Sequence, residues 1–298
     1  MTIRNLELRA RAVVEGFRSG LHRSPYHGFS VEFTEYRQYT PGDDLRHLDW
    51  RVVARSDRYF LKKFEDETNL RCHLVVDQSR SMDFGTVGHT KAAYAATLAA
   101  TLAYFLHLQG DAIGLLSFDD RVREYLPARH RPGQLRHLML ALEKPAGGRA
   151  TDLQAPLRRL VEIVRKRGLL VVVSDFLAPL DRLEGALGML IASGHEVMLF
   201  PVQDPAEAEF GFDQPALFED VENERVLFID PTAARGEYRR RMEAHGSGLR
   251  DLCQRLGVVM HPVRTDEPLE RMLFAFLQER AQRRPLRHRG AATPGGSA

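Results

Sequence analysis

The feature that most constrains the fold is an alternation, from Arg71 onward, of short apolar runs with longer helical patterns. The run Leu169-Leu170-Val171-Val172-Val173 is apolar throughout, which is typical of a parallel strand covered on both faces. Such alternation predicts a doubly wound, Rossmann-like α/β domain with a mostly parallel sheet. Strands are predicted at residues 72–76, 112–118, 169–173, 197–202, 226–229 and 258–263. Helices are predicted at residues 91–108, 133–142, 153–167, 180–192, 238–256 and 269–280.

Two hairpins are expected to interrupt this alternation. One turns at Asp119-Asp120 into an antiparallel edge strand at 122–126, and the other joins 216–219 to 226–229. Upstream, residues 6–17 have the pattern of a short basic amphipathic helix, and two strands are predicted around Tyr36 and Phe60.

These patterns divide the chain into three parts. Residues 1–69 form a small α+β extension that we expect to pack on the main domain, which spans 70–280. Residues 281–298 form a basic tail that is expected to be disordered beyond Arg289.

Composition excludes several classes of function. The formal net charge is only +2, so no global field favours nucleic acid or membrane surfaces. No run approaches 18 consecutive apolar residues, and the N-terminus lacks the apolar core of a signal peptide, so we predict a cytoplasmic protein without a membrane segment. Cys72 and Cys253 have no metal-ligand spacing and are predicted to be buried free thiols.

Oxygen-bearing side chains gather at the predicted carboxyl ends of strands, where open α/β sheets bind their ligands. Asp77-Gln78-Ser79-Arg80-Ser81 follows one apolar run, and Asp175 follows another. Between them, the loop at 147–152 brings Thr151 and Asp152 to the same edge. A set of carboxylates and hydroxyls without sulfur or imidazole suits a hard divalent cation.

This pattern resembles the metal-ion-dependent adhesion site of von Willebrand factor A domains. The resemblance implies that the metal ligands are Asp77, Ser79, Ser81, Thr151 and Asp175. It also implies a von Willebrand factor A-like fold, some ligands acting through water, and one open position that takes an acidic residue from a protein partner. Magnesium is the expected ion, with manganese or calcium as alternatives. Arg149 and Ala150 interrupt the family's compact Gly-Gly-Thr-Asp sequence, and Asp152 is interpreted as a helix N-cap.

A second resemblance rests mainly on the N-terminal region and, with Thr265-Asp266-Glu267-Pro268-Leu269 matching its end, covers about residues 4 to 280. Its signature consists of Glu32-Phe33-Thr34-Glu35-Tyr36-Arg37-Gln38-Tyr39, Pro41-Gly42-Asp43-Asp44, Arg46, Asp49-Trp50 and Ala54-Arg55. The segment resembles the bacterial domain-of-unknown-function fifty-eight family. That resemblance implies association with MoxR-type AAA+ ATPases and a role as adaptor or co-chaperone, with no established enzymatic activity. The role of 41–50 is open; Trp50 is interpreted as a packing residue.

A metal-dependent hydrolase is the alternative function. Phosphatases with an aspartyl nucleophile need a second Asp two positions later, where this chain has Ser79. A PIN-type nuclease would want three or four acidic groups, and this set has Asp77 and Asp175. Residues 85–91 superficially suggest a phosphate loop but lack the Gly-Lys-Ser/Thr order. The basic tail is interpreted as a solvated helix end, so nucleic acid is not an expected partner. We therefore predict a non-enzymatic protein, and the sequence leaves its oligomeric state open.

Overall fold

A seven-stranded, mostly parallel sheet forms the centre of the chain, which confirms the predicted fold class. The computed structural model describes residues 5–23, 36–38, 60–62, 70–146, 153–212, 214–219 and 226–283. The strands are β1 Tyr36–Gln38, β2 Phe60–Lys62, β3 Arg71–Asp77, β4 Ala112–Phe118, β5 Val122–Arg129, β6 Leu169–Ser174, β7 Glu196–Gln203, β8 Ala216–Glu219, β9 Val226–Ile229, β10 Val259–Met260 and β11 Val263–Arg264. The helices are α1 Leu6–Arg23, α2 Lys91–Leu108, α3 Gln134–Leu142, α4 Gln154–Ile163, α5 Leu180–Ala192, α6 Pro205–Glu209, α7 Pro231–Leu256 and α8 Leu269–Arg283, with a 3₁₀ turn at Arg80–Asp83.

The strand order across the main sheet is β5-β4-β3-β6-β7-β10, and β11 also pairs with β7. Every pairing is parallel except that of β5 with β4, which confirms the predicted antiparallel edge strand. Counted from β3, this is the 3-2-1-4-5-6 order of doubly wound sheets. The order reverses between β3 and β6, so the crevice for a ligand is expected at the carboxyl ends of these two strands.

Helices cover both faces of the sheet. Helices α2, α3 and α8 pack on one face, and α4, α5 and α7 pack on the other. Helix α2 is alanine-rich and buried along most of its length. It begins where the Thr90 hydroxyl accepts a hydrogen bond from the amide of Ala93 at 3.2 Å, and it ends before Gly110, whose φ of +81° favours glycine.

Contacts divide the chain into two units. Met1–Phe17 belongs with Arg71–Ala298, and Arg18–Leu70 forms the second unit. In the first unit, helix α1 buries Leu6, Ala10 and Val14 at a spacing of four residues, as expected for an amphipathic helix. In the second unit, β1 and β2 pair antiparallel. The packing of the extension on the main domain stays a prediction, and most of the N-terminal signature and the tail beyond Arg283 lie outside the described residues.

Several predicted elements differ from the structure in their bounds, and three of these differences have a local reason. Helix α7 begins at Pro231 rather than at 238, because Asp230 caps the amide of Thr232 and proline suits the first helical position. Helix α4 ends at Ile163 rather than at 167, since Val164 leaves the helical conformation. The strand predicted at 258–263 is split into β10 and β11 around Pro262, which has no N–H for the ladder.

Candidate metal centre

Two of the predicted metal ligands lie at the ends of neighbouring parallel strands. In the register of β3 with β6, Val76 is opposite Val173, so Asp77 comes level with Ser174 and Asp175 follows in the loop. This position is the reversal point of the strand order. Asp77 and Asp175 are nearly a hundred residues apart in the sequence. The parallel pairing of β3 with β6 brings them to the same edge of the sheet.

Asp77 is a carboxylate enclosed by the protein, with 0% of its surface exposed. Its Oδ1 accepts a hydrogen bond from the amide of Ser79 at 2.9 Å, and its Oδ2 accepts one from the hydroxyl of Ser174 at 2.6 Å. Burial and the nearby Asp175 raise the pKa of Asp77 to about 7, although these hydrogen bonds act to lower it. A cation beside Asp77 would favour its ionised form.

The two serine hydroxyls are spaced as neighbouring ligands would be. Ser79 Oγ and Ser81 Oγ are 3.1 Å apart. Adjacent oxygens around an octahedral magnesium ion with bonds of about 2.1 Å are separated by roughly 3 Å. The 3₁₀ turn that follows β3 sets this spacing, since the amide of Met82 donates to the carbonyl of Ser79 at 3.2 Å. Ser79 is buried and Ser81 is half-buried, so Ser81 lies on the solvent side of the group.

Asp175 is held by an unusual loop after β6. The next residue, Phe176, has a φ of +53°, a backbone conformation that is costly for a bulky residue. Its side chain is fully buried. The amide of Phe176 donates to Ser174 Oγ at 3.1 Å, and His245 Nε2 lies 2.8 Å from its carbonyl oxygen. The amide of Leu177 donates to Asp175 Oδ1 at 3.3 Å. These bonds fix the strained turn and, with it, the direction of Asp175.

Lys91 is a charged residue at this site that the sequence analysis missed. Its ammonium donates to Asp175 Oδ2 at 2.9 Å and to Glu207 Oε1 at 2.6 Å, and its side chain is fully buried. Burial acts to lower the pKa of Lys91, but Asp175 and Glu207 outweigh it and the pKa is raised. A signal was present in the sequence: a lysine in the first turn of a helix opposes the helix dipole, so it calls for acidic neighbours.

Glu207 is positioned by the short helix α6. Asp204 caps that helix by accepting a hydrogen bond from the amide of Ala206 at 2.9 Å, and Glu207 Oε2 accepts one from the amide of Asp204 at 3.3 Å. Asp204 also accepts from the Thr86 hydroxyl at 2.5 Å and from that residue's amide at 2.9 Å. Burial raises the pKa of Glu207, although Lys91 acts in the opposite direction. The loop before α2 and the loop after β7 are thus tied together beside Asp175.

The structure therefore brings together Asp77, Ser79, Ser81 and Asp175, as the sequence analysis expected. Thr151 and Asp152 lie outside the described residues, so their predicted roles as ligand and N-cap stay predictions. Among the residues that the structure describes, no group of three or more His, Cys, Asp or Glu side chains could hold a metal. An ion here would depend on the serine hydroxyls, and two carboxylates with two hydroxyls 3.1 Å apart fit a hard divalent cation.

A cavity of about 580 Å³ lies beside Asp175 and Glu207, the two acidic partners of Lys91. It is lined by Asp175 and Glu207 and by side chains of α7, among them Met242 and Leu249. Asp77, Ser79 and Ser81 do not line it. The cavity therefore reaches the acidic partners of Lys91 rather than the serine hydroxyls.

Known proteins similar to this chain were found by sequence and by structure. The family described as "Protein of unknown function DUF58" matches residues 35–248. An uncharacterised protein of Mycobacterium tuberculosis is 31% identical over 284 residues, which cover 93% of this chain and 88% of the relative. An aerotolerance-related membrane protein from Bacteroides fragilis is 14% identical, with a TM-score of 0.48 over 72% of this chain and 99% of its own. The VWA domain of SpRpn10 is 10% identical, with a TM-score of 0.39 over 68% of this chain and 94% of its own. At these identities the likeness to the solved structures concerns the fold alone.

The prediction of a cytoplasmic location is wrong. The solved structures similar to this chain include one described as an aerotolerance-related membrane protein and one described as a membrane-spanning protein. Within the described ranges, no helix combines the length and the apolar character needed to cross a membrane.

Proposed function

This chain belongs to the DUF58 family, and we propose that it is a metal-dependent protein-docking module whose site is the Asp77 group. Its von Willebrand factor A-like fold suggests a protein-interaction module. The metal ligands in this proposal are Asp77, Ser79, Ser81 and Asp175, completed by Thr151 from the loop at 147–152.

One observation carries the proposal: Ser79 Oγ and Ser81 Oγ lie 3.1 Å apart beside a fully buried carboxylate, at the reversal point of the sheet. Hydroxyl ligands leave the charge of a divalent ion less neutralised than carboxylates would. When bound, the ion supplies a positive centre with a coordination position for an acidic side chain of a partner. Magnesium is the ion that we propose first, with manganese or calcium as alternatives.

Two features of the chain would assist such docking. Ser81 is half-buried, so the site has a side that solvent and a partner can approach. Arg80 is exposed between the two serines, and its positive charge favours the approach of an acidic surface. The partner that we propose is a MoxR-type AAA+ ATPase, for which this chain would act as adaptor or co-chaperone. The proposal concerns binding and not catalysis.

Capture of a purified MoxR-type ATPase by the immobilised full chain tests the proposal. We expect capture in 5 mM magnesium, loss of capture in EDTA, and loss in an Asp77→Ala variant, about tenfold or more in each case. Asp251→Ala is the matched control, since Asp251 is an exposed carboxylate in α7. Capture that is equal with and without metal, and equal for Asp77→Ala, would overturn the proposal.

A further inference from the structure

Lys91 shares one of the proposed metal ligands. Its ammonium lies 2.9 Å from Asp175 Oδ2 and 2.6 Å from Glu207 Oε1, and the lysine side chain has no exposed surface. The carboxylates of these two partners are also largely buried. An interaction this short between enclosed charges is much less screened by solvent than the surface ion pairs of the same chain.

The position of Lys91 is specified by its surroundings on both sides. Its amide donates to the carbonyl of Phe84 at 2.8 Å, which closes the loop 84–90. Within that loop, a Cβ at Gly85 would come within 2.1 Å of the His89 carbonyl oxygen, so only glycine allows this path. On the other side, Glu207 is fixed by the capping box of α6. The ammonium is therefore built into the fold at a set place beside Asp175.

We infer that Lys91 is a resident cation that shares Asp175 with the divalent ion and thereby sets how tightly the ion binds. This inference rests on the proposed function and deepens it. Three carboxylates, those of Asp77, Asp175 and Glu207, stand against one ammonium. Removing the ammonium leaves the ion facing one more unbalanced negative charge. Removing the Glu207 charge leaves Lys91 with Asp175 as its one acidic partner in this ion pair. The ion then faces an ammonium whose charge is less balanced.

The two changes therefore predict metal affinities of opposite sign. Lys91→Met should bind magnesium about tenfold more tightly than the wild type, since the repulsion between ammonium and ion is removed. Glu207→Gln should bind it several-fold more weakly, roughly threefold to tenfold. Lys91→Arg keeps the charge and should stay within about threefold of the wild type. A role of Lys91 in stability alone would not produce this ordering.

Calorimetric titration of magnesium and manganese into the four purified full-length proteins tests the inference. The expected order of affinity is Lys91→Met, then wild type with Lys91→Arg, then Glu207→Gln. If Lys91→Met does not fold, the comparison of Glu207→Gln and Lys91→Arg with the wild type decides alone. Equal affinity in all folded variants, or tighter binding by Glu207→Gln, would overturn the inference while leaving the proposed function intact.

The same titration separates the inference from the proposed function. If the wild type binds no ion but Lys91→Met does, the metal-dependent docking proposal and the sharing of Asp175 both fail, and only the opposition of the Lys91 ammonium to ion binding is retained. If neither protein binds magnesium or manganese, both are overturned.

Discussion

Asp175 lies between two halves of the site, which differ in what stands beside their buried carboxylates. The hydroxyl side consists of Asp77, Ser79 and Ser81, and the lysine side consists of Lys91 and Glu207. On the lysine side the chain supplies its own cation, at 2.9 and 2.6 Å from two carboxylates. On the hydroxyl side, burial and Asp175 raise the pKa of Asp77 to about 7. The lysine side therefore carries its own cation as folded, whereas the hydroxyl side is where the proposed ion would act.

The largest effect is expected from breaking the lysine side. Lys91→Met leaves two buried carboxylates without their cation, so the free energy of unfolding should fall by about 3–5 kcal/mol in EDTA. Urea denaturation at pH 7.5 measures this loss. The double variant Lys91→Met with Glu207→Gln should recover part of it, because one of the unpaired charges is gone.

An exposed ion pair provides the control for that prediction. Arg255 and Glu184 are 3.2 Å apart with about half of each side chain in solvent. Arg255→Met should cost less than about 1 kcal/mol. Equal losses for Lys91→Met and Arg255→Met would show that the lysine side bears no more stability than the surface.

The second prediction concerns pH and the hydroxyl side. The pKa of Asp77 is raised from 3.8 to about 7, so the folded protein binds a proton there more tightly than the unfolded chain does. Its contribution to stability is complete below about pH 4 and is lost as the pH rises to about 7, by at most about 1.4 kcal/mol per pH unit. Thermal melts of the wild type and of Asp77→Asn, both in EDTA, measure this loss of stability.

The stability of Asp77→Asn relative to the wild type should increase from pH 4.5 to 7 and stay constant above pH 7. The asparagine cannot ionise, and effects of other titrating groups cancel in the comparison. A difference that is flat across this range would mean that Asp77 is ionised in the folded state at low pH, and the contrast between the two halves would disappear.

A smaller effect is expected from Ser174→Ala. The hydroxyl of Ser174 donates to Asp77 at 2.6 Å and accepts from the amide of Phe176 at 3.1 Å. Its loss should cost about 1–3 kcal/mol of stability, since both groups are buried. It should also move the pH window of the Asp77 effect upward, because a hydrogen bond that lowers the pKa is removed. Ser193→Ala is the control, as the Ser193 hydroxyl bonds to the backbone at an exposed position.

The smallest change in stability is expected from Ser81→Ala. Ser81 is half-buried, so its substitution should change the free energy of unfolding by less than about 1 kcal/mol. As a proposed ligand it should nevertheless weaken magnesium binding by about tenfold, measured by calorimetry. Unchanged affinity would remove Ser81 from the proposed ligand set and leave Ser79 as the proposed hydroxyl ligand from the loop after β3.

The parts of this molecule that follow from local pattern were predictable. The apolar runs identified β3, β4, β6 and β7, and Asp77 and Asp175 were expected at one edge of the sheet, where the register of β3 with β6 has them. The hairpin of β8 and β9 was predicted at its observed residues, and Cys72 and Cys253 are confirmed as buried free thiols.

The parts that depend on register and distant contacts were not predictable. Ser174 faces Asp77 only because β3 and β6 pair with Val76 opposite Val173. Lys91 and Glu207 are separated by more than a hundred residues and meet because two loops converge at one edge of the sheet. The left-handed backbone of Phe176 has no sequence signal, because aromatic residues rarely adopt it.

Magnesium titration of the wild type and of Asp77→Ala, after removal of metal with EDTA and at pH 8, tests the central claim most directly. We predict saturable uptake at one site by the wild type, with an affinity that is weakened by at least about 100-fold in Asp77→Ala and unchanged in Asp251→Ala. Failure of the wild type to take up magnesium, manganese or calcium, or equal affinity in Asp77→Ala, would contradict it.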